Sequence, residues 1–341
     1  MSWQNVKIIG SNQKRGEAGQ ERGHKSFVMS RSQLVAFAEC PEKWVKGEAV
    51  EEESKAMTFG SVLDCLATTP DELLKKFAVT PETYPATPTK KSEPPEQKPW
   101  TSRANYCKDW EAEKEAEGFA VVSQAMMEDA KRAFNALHQN EAVERLIECS
   151  DKQVLIVAEW KDDDTGLIVP FSALLDLVPS VGDAIWGKTL ADIKTARNGN
   201  PSKWARVCDD SGYDVQAALY FDLYRAARPN EDRTDFVHVV QENTFPFHVV
   251  NPPPALSEEF LNWGRMKYKK ALRHYCKCLT TGIWPSYEQV GETINQSGGG
   301  NTQIIGPEDC WNYKKSAGMT EFRMPEPKPA YAVGHDLYAT A

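Results

Sequence analysis

Two short stretches near the middle of the chain constrain its fold more than any others: Ser-Ala-Leu-Leu-Asp at 172–176 and Ala-Asp-Ile-Lys-Thr at 191–195. Each reads as an apolar β-strand that carries an acid. Asp192 and Lys194 stand two residues apart, so their side chains leave the strand on one face. Asp176 ends its strand where a buried carboxylate costs several kcal/mol unless it is paired or bound to a metal. A carboxylate beside an ammonium, with a second carboxylate one strand away, can hold a divalent cation and position a water.

The rest of the chain supplies a frame for these strands. At 341 residues it is long enough for one large domain or two ordinary ones, and 41% hydrophobic residues with 10 tryptophans can fill a sizeable core. Residues 1–27 are polar and without periodicity, which predicts a flexible leader and no secretory signal. A helix is expected from Ser30, as N-cap, to Cys40, where Pro41 interrupts. A second should cover 58–67, with Phe59, Val62, Leu63 and Leu66 as its apolar stripe and Asp64 off it, on the side of Gly60. The Pro-rich segment 80–102 reads as a loop, followed by helices over 104–117 and 123–147. Strands are predicted at 153–160, 167–178, 189–196, 235–242 and 246–250, with helices at 213–227 and 256–281. Strands 167–178 and 189–196 are simplest placed as neighbours. The segment 289–341 is Gly- and Pro-rich and reads as a flexible or accessory tail.

The order helix, helix, three strands, helix, strands, helix carries Gly60…Asp64, Glu159, Asp176, Asp192-Ile193-Lys194 and Gln216…Tyr220. In this it resembles the PD-(D/E)XK nuclease superfamily, in its RecB-like branch, and most of all the RecE-like phage exonucleases. The resemblance covers about 28–288. It includes Ser30-Arg31-Ser32-Gln33-Leu34, Phe59-Gly60, Asp-Ile-Lys-Thr at 192–195, Gln216-Ala217-Ala218-Leu219-Tyr220, Gln241-Glu242 and Trp284-Pro285. It implies an α/β, restriction-endonuclease-like core: a central mixed sheet flanked by helices.

It also implies roles. Asp176, Asp192 and the carbonyl of Ile193 would ligate Mg²⁺, or Mn²⁺, through oxygen. Lys194 would orient or deprotonate the attacking water. Gln216 and Tyr220, one helical turn apart, resemble a QxxxY element that steadies Lys194 or the DNA. Relatives carry a GxxxH histidine ligand; here Asp64 stands at that position, and a carboxylate there favours hard ions. Glu159 is a further metal candidate. The PD proline is replaced by Leu175. Ser30, Arg31, Lys55 and Arg197 are the DNA-contact candidates.

The function so implied is metal-dependent exonuclease digestion of linear double-stranded DNA, 5′ to 3′, leaving 3′ single-stranded tails for recombination. DNA ends, a ring-shaped homo-oligomer and a single-strand annealing recombinase are the implied partners. A net charge of −9 requires any nucleic-acid contact to use a local groove. The alternatives are a non-catalytic DNA-binding or assembly module on the same fold, and a Cas4-like or endonucleolytic relative. An isolated D-x-K pair is more often a surface ion pair, so its neighbours carry the reading. Cys40, Cys276, Cys278 and Cys310 fall around the core as iron–sulfur ligands do, but without the compact spacing such clusters use; buried thiols are the simpler expectation. With no apolar run long enough to span a bilayer and no CxxC pair, the expected place is the cytoplasm of a bacterial or phage-infected cell, away from membranes.

Overall fold

The structure, a computed structural model, describes residues 2–14, 16, 19–48, 54–86 and 95–286, and the backbone of 293–295 and 301–303. In chain order the elements are β1 (Ser2–Gly10), β2 (Met29–Ser30), α1 (Arg31–Glu39), α2 (Pro41–Lys46), α3 (Lys55–Thr68), α4 (Leu73–Lys76), β3 (Phe77–Val79), β4 (Thr83–Pro85) and β5 (Gln97–Pro99). Then come α5 (Asn105–Ala116), β6 (Ala120–Val122), α6 (Gln124–His138), α7 (Glu141–Glu148), β7 (Ser150–Lys161), β8 (Ile168–Pro179), β9 (Thr189–Ala196), α8 (Pro201–Asp210), α9 (Tyr213–Ala227), β10 (Asp235–Glu242) and α10 (Glu258–Thr281).

One mixed sheet in the order β1-β7-β8-β9-β10, with β2 beside β8, forms the middle layer. Strands β1, β7, β8 and β9 run antiparallel one to the next, while β2 lies parallel to β8 and β10 joins β9 in parallel through the α8–α9 crossover. Helices cover both sides. Val154, Ile156, Ala158 and Trp160 of β7 and Val169, Phe171, Ala173 and Leu175 of β8 pack with α1, α9 and α10. Ala191 and Ile193 of β9, with Val237 and Val239 of β10, face α3, α6 and α7 instead. Helix α9 lies between sheet and α10 and is buried along most of its length, which is why its sequence is apolar nearly all round. The mixed sheet flanked by helices is thus the architecture expected from the sequence.

Local chemistry sets the element ends. Ser30 caps α1 by accepting from the Gln33 amide, and Ser54 caps α3 by accepting from Met57. The helix expected over 123–147 is two helices, because Asn140 accepts from the Val143 amide and starts α7 anew.

Four expectations are corrected. Residues 2–10, read as part of a flexible leader, form an edge strand on β7. Trp3 anchors it edge-on against Trp160 and Phe171, at ring separations of 5.1 and 5.2 Å, and this one aromatic outweighs the polar composition around it. The segment 201–210, given no element, is helix α8, started by Asn200 and Pro201. The stretch 246–250 is not a strand; Gln241 Nε2 donates to the Phe247 carbonyl at 2.7 Å and holds it as an irregular return, with an isolated bridge from Gln241 to Val249. The 80–102 segment is not wholly loop: β4 and β5 pair antiparallel across it, and 87–94 lie outside the described residues. Apart from the short strands 293–295 and 301–303, the tail at 289–341, with Cys310, also lies outside them.

Candidate active site

The site grows from a fault in the β7–β8 ladder. Lys152 pairs with Leu177 and Val154 with Leu175, in unbroken register, yet the pair between them, Gln153 and Asp176, is missing from the ladder. Gln153 has φ +49°, a left-handed backbone that a non-glycine residue adopts at a cost of about 1–3 kcal/mol. The strands turn over at this point. Leu175 packs with the α9 layer and Leu177 with the α3 layer, although two residues apart on a regular strand share a face. Asp176 sits at the turnover, half-buried, so its carboxylate is neither lost in a core nor given to bulk water.

Strand β9 brings the next two groups. Asp192 is 1% exposed and its Oδ2 is in ion contact with the Lys194 ammonium, which is 14% exposed. The Ile193 amide donates to Asp176 Oδ2 at 3.1 Å and so ties β8 to β9 through the acid itself. From α9, Gln216 Nε2 donates to Asp192 Oδ1 at 2.7 Å. From α3, Asp64 enters one helical turn beyond Gly60, where an added Cβ would lie 2.9 Å from Thr195 Oγ1 on β9. The glycine is therefore required by the close approach that delivers Asp64. Gln153 Nε2 lies 3.3 Å from each Asp64 carboxylate oxygen and 3.1 Å from Thr68 Oγ1.

The electrostatics couple three acids. Burial first, and the Asp192 charge second, push Asp64 up to about 6. Asp176 is raised well above the ordinary carboxylate range by burial and by the charges of Asp192 and Asp64. For Lys194 burial alone would lower proton affinity; the Asp192 and Asp176 charges outweigh it, so the ammonium is held above its usual range. Its Nζ also lies 4.8 Å from the centre of the Tyr213 ring, which the Arg31 guanidinium approaches at 5.5 Å. His238, opposite Asp192 in the parallel β9–β10 register, is fully buried and pushed down to about 3, chiefly by burial and then by Lys194, so it stays neutral. Trp204 Nε1 donates to its Nδ1 at 3.3 Å.

The structure thus brings Asp64, Asp176, Asp192, Ile193, Lys194 and Gln216 together. It does not bring Glu159, whose carboxylate is half-exposed six residues further along β7 and accepts from Gln4 Nε2 at 3.1 Å and Asn5 Nδ2 at 2.7 Å. A regular strand separates it from Asp176, since Glu159 pairs with Pro170. Tyr220 is 3% exposed within the apolar cluster under the sheet. Ser30 is buried, and its hydroxyl is committed to capping α1. Arg31 reaches the Tyr213 ring and donates to the Ser211 carbonyl at 2.5 Å. Lys55 lines a groove of about 340 Å³ with Phe59, Met126, Asp129 and Asn243, and Arg197 is exposed just past β9. Sequence reasoning missed Gln153, Tyr213 and His238. Tyr213 had a signal, one helical turn before Gln216; the other two look like ordinary polar interruptions of apolar strands.

Three acids that raise one another's proton affinity form a donor set that a hard divalent cation suits, since added positive charge relieves the repulsion. Asp192 Oδ2, buried with the Lys194 ammonium as its ion partner, is placed to share that benefit. Lys194 occupies the cationic role beside it. Among the described residues no three acidic, imidazole or thiol groups converge as a preformed metal cluster.

A sheet that crosses acids and a lysine at a broken ladder, with helices on both faces, is a PD-(D/E)XK-type core. Residues 30–296 match the family described as PDDEXK-like domain of unknown function (DUF3799), and the chain belongs to that family. A solved protein from Eubacterium rectale, described as a "putative exonuclease", has a similar fold at 13% identity and a TM-score of 0.50, over 81% of this chain and 90% of that one. No curated protein matches the sequence significantly. Among the described residues no helix is long and apolar enough to cross a membrane.

Proposed function

We propose that the protein is a metal-dependent deoxyribonuclease that degrades linear duplex DNA from its ends. The observation that carries this is the electrostatic coupling of Asp64, Asp176, Asp192 and Lys194 around one break in the sheet, with Gln216 fixing Asp192. Surface ion pairs do not need three mutually repelling carboxylates around a lysine that is 14% exposed.

Asp176, Asp192 and Asp64, with the Ile193 carbonyl beside them, would hold Mg²⁺ or Mn²⁺. A divalent cation there supplies neutralisation of the phosphate and of the charge that develops as its P–O bond breaks. Gln216 keeps Asp192 in one rotamer, so the acid does not reorganise during reaction. Lys194, held protonated in the resting site, orients a water by donating to it and offsets charge on the phosphate. Its ring partner Tyr213 restrains the ammonium from above while leaving its N–H donors free to turn.

The groove lined by Lys55, Phe59, Met126, Asp129 and Asn243 supports a strand path, because Asn243 donates from its backbone to the Ala196 carbonyl at the end of β9. Lys55, Arg31 and Arg197 are the cations proposed to meet phosphates. With a net charge of −9, end preference through a ring that encloses DNA is a better route to processivity than a basic surface. We extend the proposal to 5′-to-3′ polarity, a cytoplasmic setting and a recombinase that takes up the 3′ tail, on the sequence resemblance alone.

The test is digestion of end-labelled linear duplex beside covalently closed circular DNA, with Mg²⁺ or with chelator. Metal-dependent loss of label from the linear substrate only is expected, and Lys194→Ala should abolish it. Cleavage of the closed circle makes the protein an endonuclease. Binding without cleavage of either, in Mg²⁺ and Mn²⁺, makes it a non-catalytic module.

A further inference from the structure

Gln153 belongs to no expected motif, yet it is the residue on which the site's two halves meet. Its backbone stands in the left-handed region at φ +49° inside a twelve-residue strand, with only 7% of its surface exposed. Nothing in its own chemistry asks for that conformation; Asn, Asp and Gly adopt it more readily. Such a residue persists where the surroundings over-determine it, and these clusters of strain mark working sites.

The surroundings here are specific. Gln153 stands where the Gln153–Asp176 pair is missing from the ladder and where Leu175 and Leu177 fall in opposite layers. Its amide points at both oxygens of Asp64, each at 3.3 Å, and at Thr68 Oγ1 at 3.1 Å. The Thr68 hydroxyl in turn donates to the Asp64 carbonyl at 2.7 Å, so it accepts from Gln153 and the network runs in one direction. Asp64 is the acid that stands where relatives of this fold carry an imidazole, and Thr68 is its other side-chain hydrogen-bond partner. A half-buried carboxylate on a helix has several rotamers to choose from; an N–H from the strand, shared between its two oxygens while the other N–H goes to Thr68, favours one.

We infer that Gln153 is a positioning residue of the metal site: standing at the break in the ladder beside Asp176, it uses its amide to hold Asp64 toward the other acids. This rests on the nuclease reading above. The amide serves where a carboxylate would not, because Glu at 153 would add a fourth negative charge beside three. Outer partners of metal ligands are worth about 10–100-fold in metal affinity.

The experiment tests the side chain while leaving the left-handed backbone permitted. Mn²⁺ binding to the whole protein is measured by calorimetry without DNA, beside denaturant unfolding, for wild type, Gln153→Gly and Gln153→Asn. Glycine frees the left-handed backbone and should leave the unfolding midpoint equal or higher, yet lose the amide. Asparagine tolerates the same backbone with an amide one methylene short of Asp64. Both variants are expected to stay folded and to bind Mn²⁺ about 10–100-fold more weakly. Wild-type affinity in a folded Gln153→Gly protein overturns the inference alone, as does parallel loss of midpoint and affinity in both variants, which marks a structural residue. A wild-type protein that takes up no Mn²⁺ overturns the nuclease reading and this inference with it.

Discussion

The β7–β8 hairpin carries two acids that look alike in the sequence and differ in everything physical. At one end Glu159 sits in a regular ladder opposite Pro170, half-exposed, its charge satisfied by the amides of Gln4 and Asn5. At the other, Asp176 sits where the ladder breaks, beside Asp192 and Asp64, with a proton affinity raised by burial and by their charges. The difference teaches that a carboxylate becomes chemically poised through an unresolved conflict with its neighbours, and that an acid with enough donors is structural. A regular antiparallel pair offers no such conflict, because alternate side chains simply go to opposite faces.

The sharpest way to break this comparison is at the conflict itself. Lys194→Ala or Asp192→Asn should lower the rate of DNA hydrolysis by about 10²–10⁴-fold, measured in single turnover with saturating DNA. The same Asp192→Asn protein should unfold at equal or higher denaturant, since it removes one of three repelling charges; a large loss of stability would make Asp192 structural. Gln216→Ala leaves Asp192 Oδ1 without its donor, and about 10–100-fold in apparent Mg²⁺ affinity should go with it.

Smaller, but with a definite sign, is the pH dependence. Asp64 binds its proton up to about 6 in the folded chain against 3.8 in the unfolded one, chiefly through burial. Folding therefore favours its protonated form; the stabilisation is fully present below about 4 and is lost as pH rises through about 6. Asp176 shifts in the same direction. The denaturant midpoint of chelator-treated protein should fall between pH 4 and pH 6, and Mg²⁺ should restore it above pH 6, where the acids are ionised and free to bind. A flat profile in chelator would separate Asp64 from Asp192. Smallest of all is the contrast partner: Glu159→Gln should change stability by within about 0.5 kcal/mol and leave hydrolysis and metal affinity unchanged.

Much of the frame was legible in the residues. Strand β9, helix α9 and strand β10 begin and end where periodicity puts them, at 189–196, 213–227 and 235–242, because apolar runs bounded by turn residues leave little choice. Edge elements were not legible: β1 is held by its ladder to β7 and by Trp3, Val6 and Ile8 seated on a core that arrives much later in the chain. Among site residues, those defined by spacing along one element were readable, as with Asp192 and Lys194 on one strand face. Ser30 and Glu159 carry side chains suited to the chemistry, but their local partners had already engaged them.

By itself, then, the sequence determined the central elements β9, α9 and β10 and that Asp192 and Lys194 share a face, since both follow from short-range periodicity and turn chemistry. Only the tertiary structure decided which acids meet. That choice depends on the Gln153 amide that reaches Asp64, on a glycine that lets α3 close on β9, and on an amide from α9 reaching Asp192. Each acts between segments far apart in the chain, and no pattern within one segment encodes where another will lie.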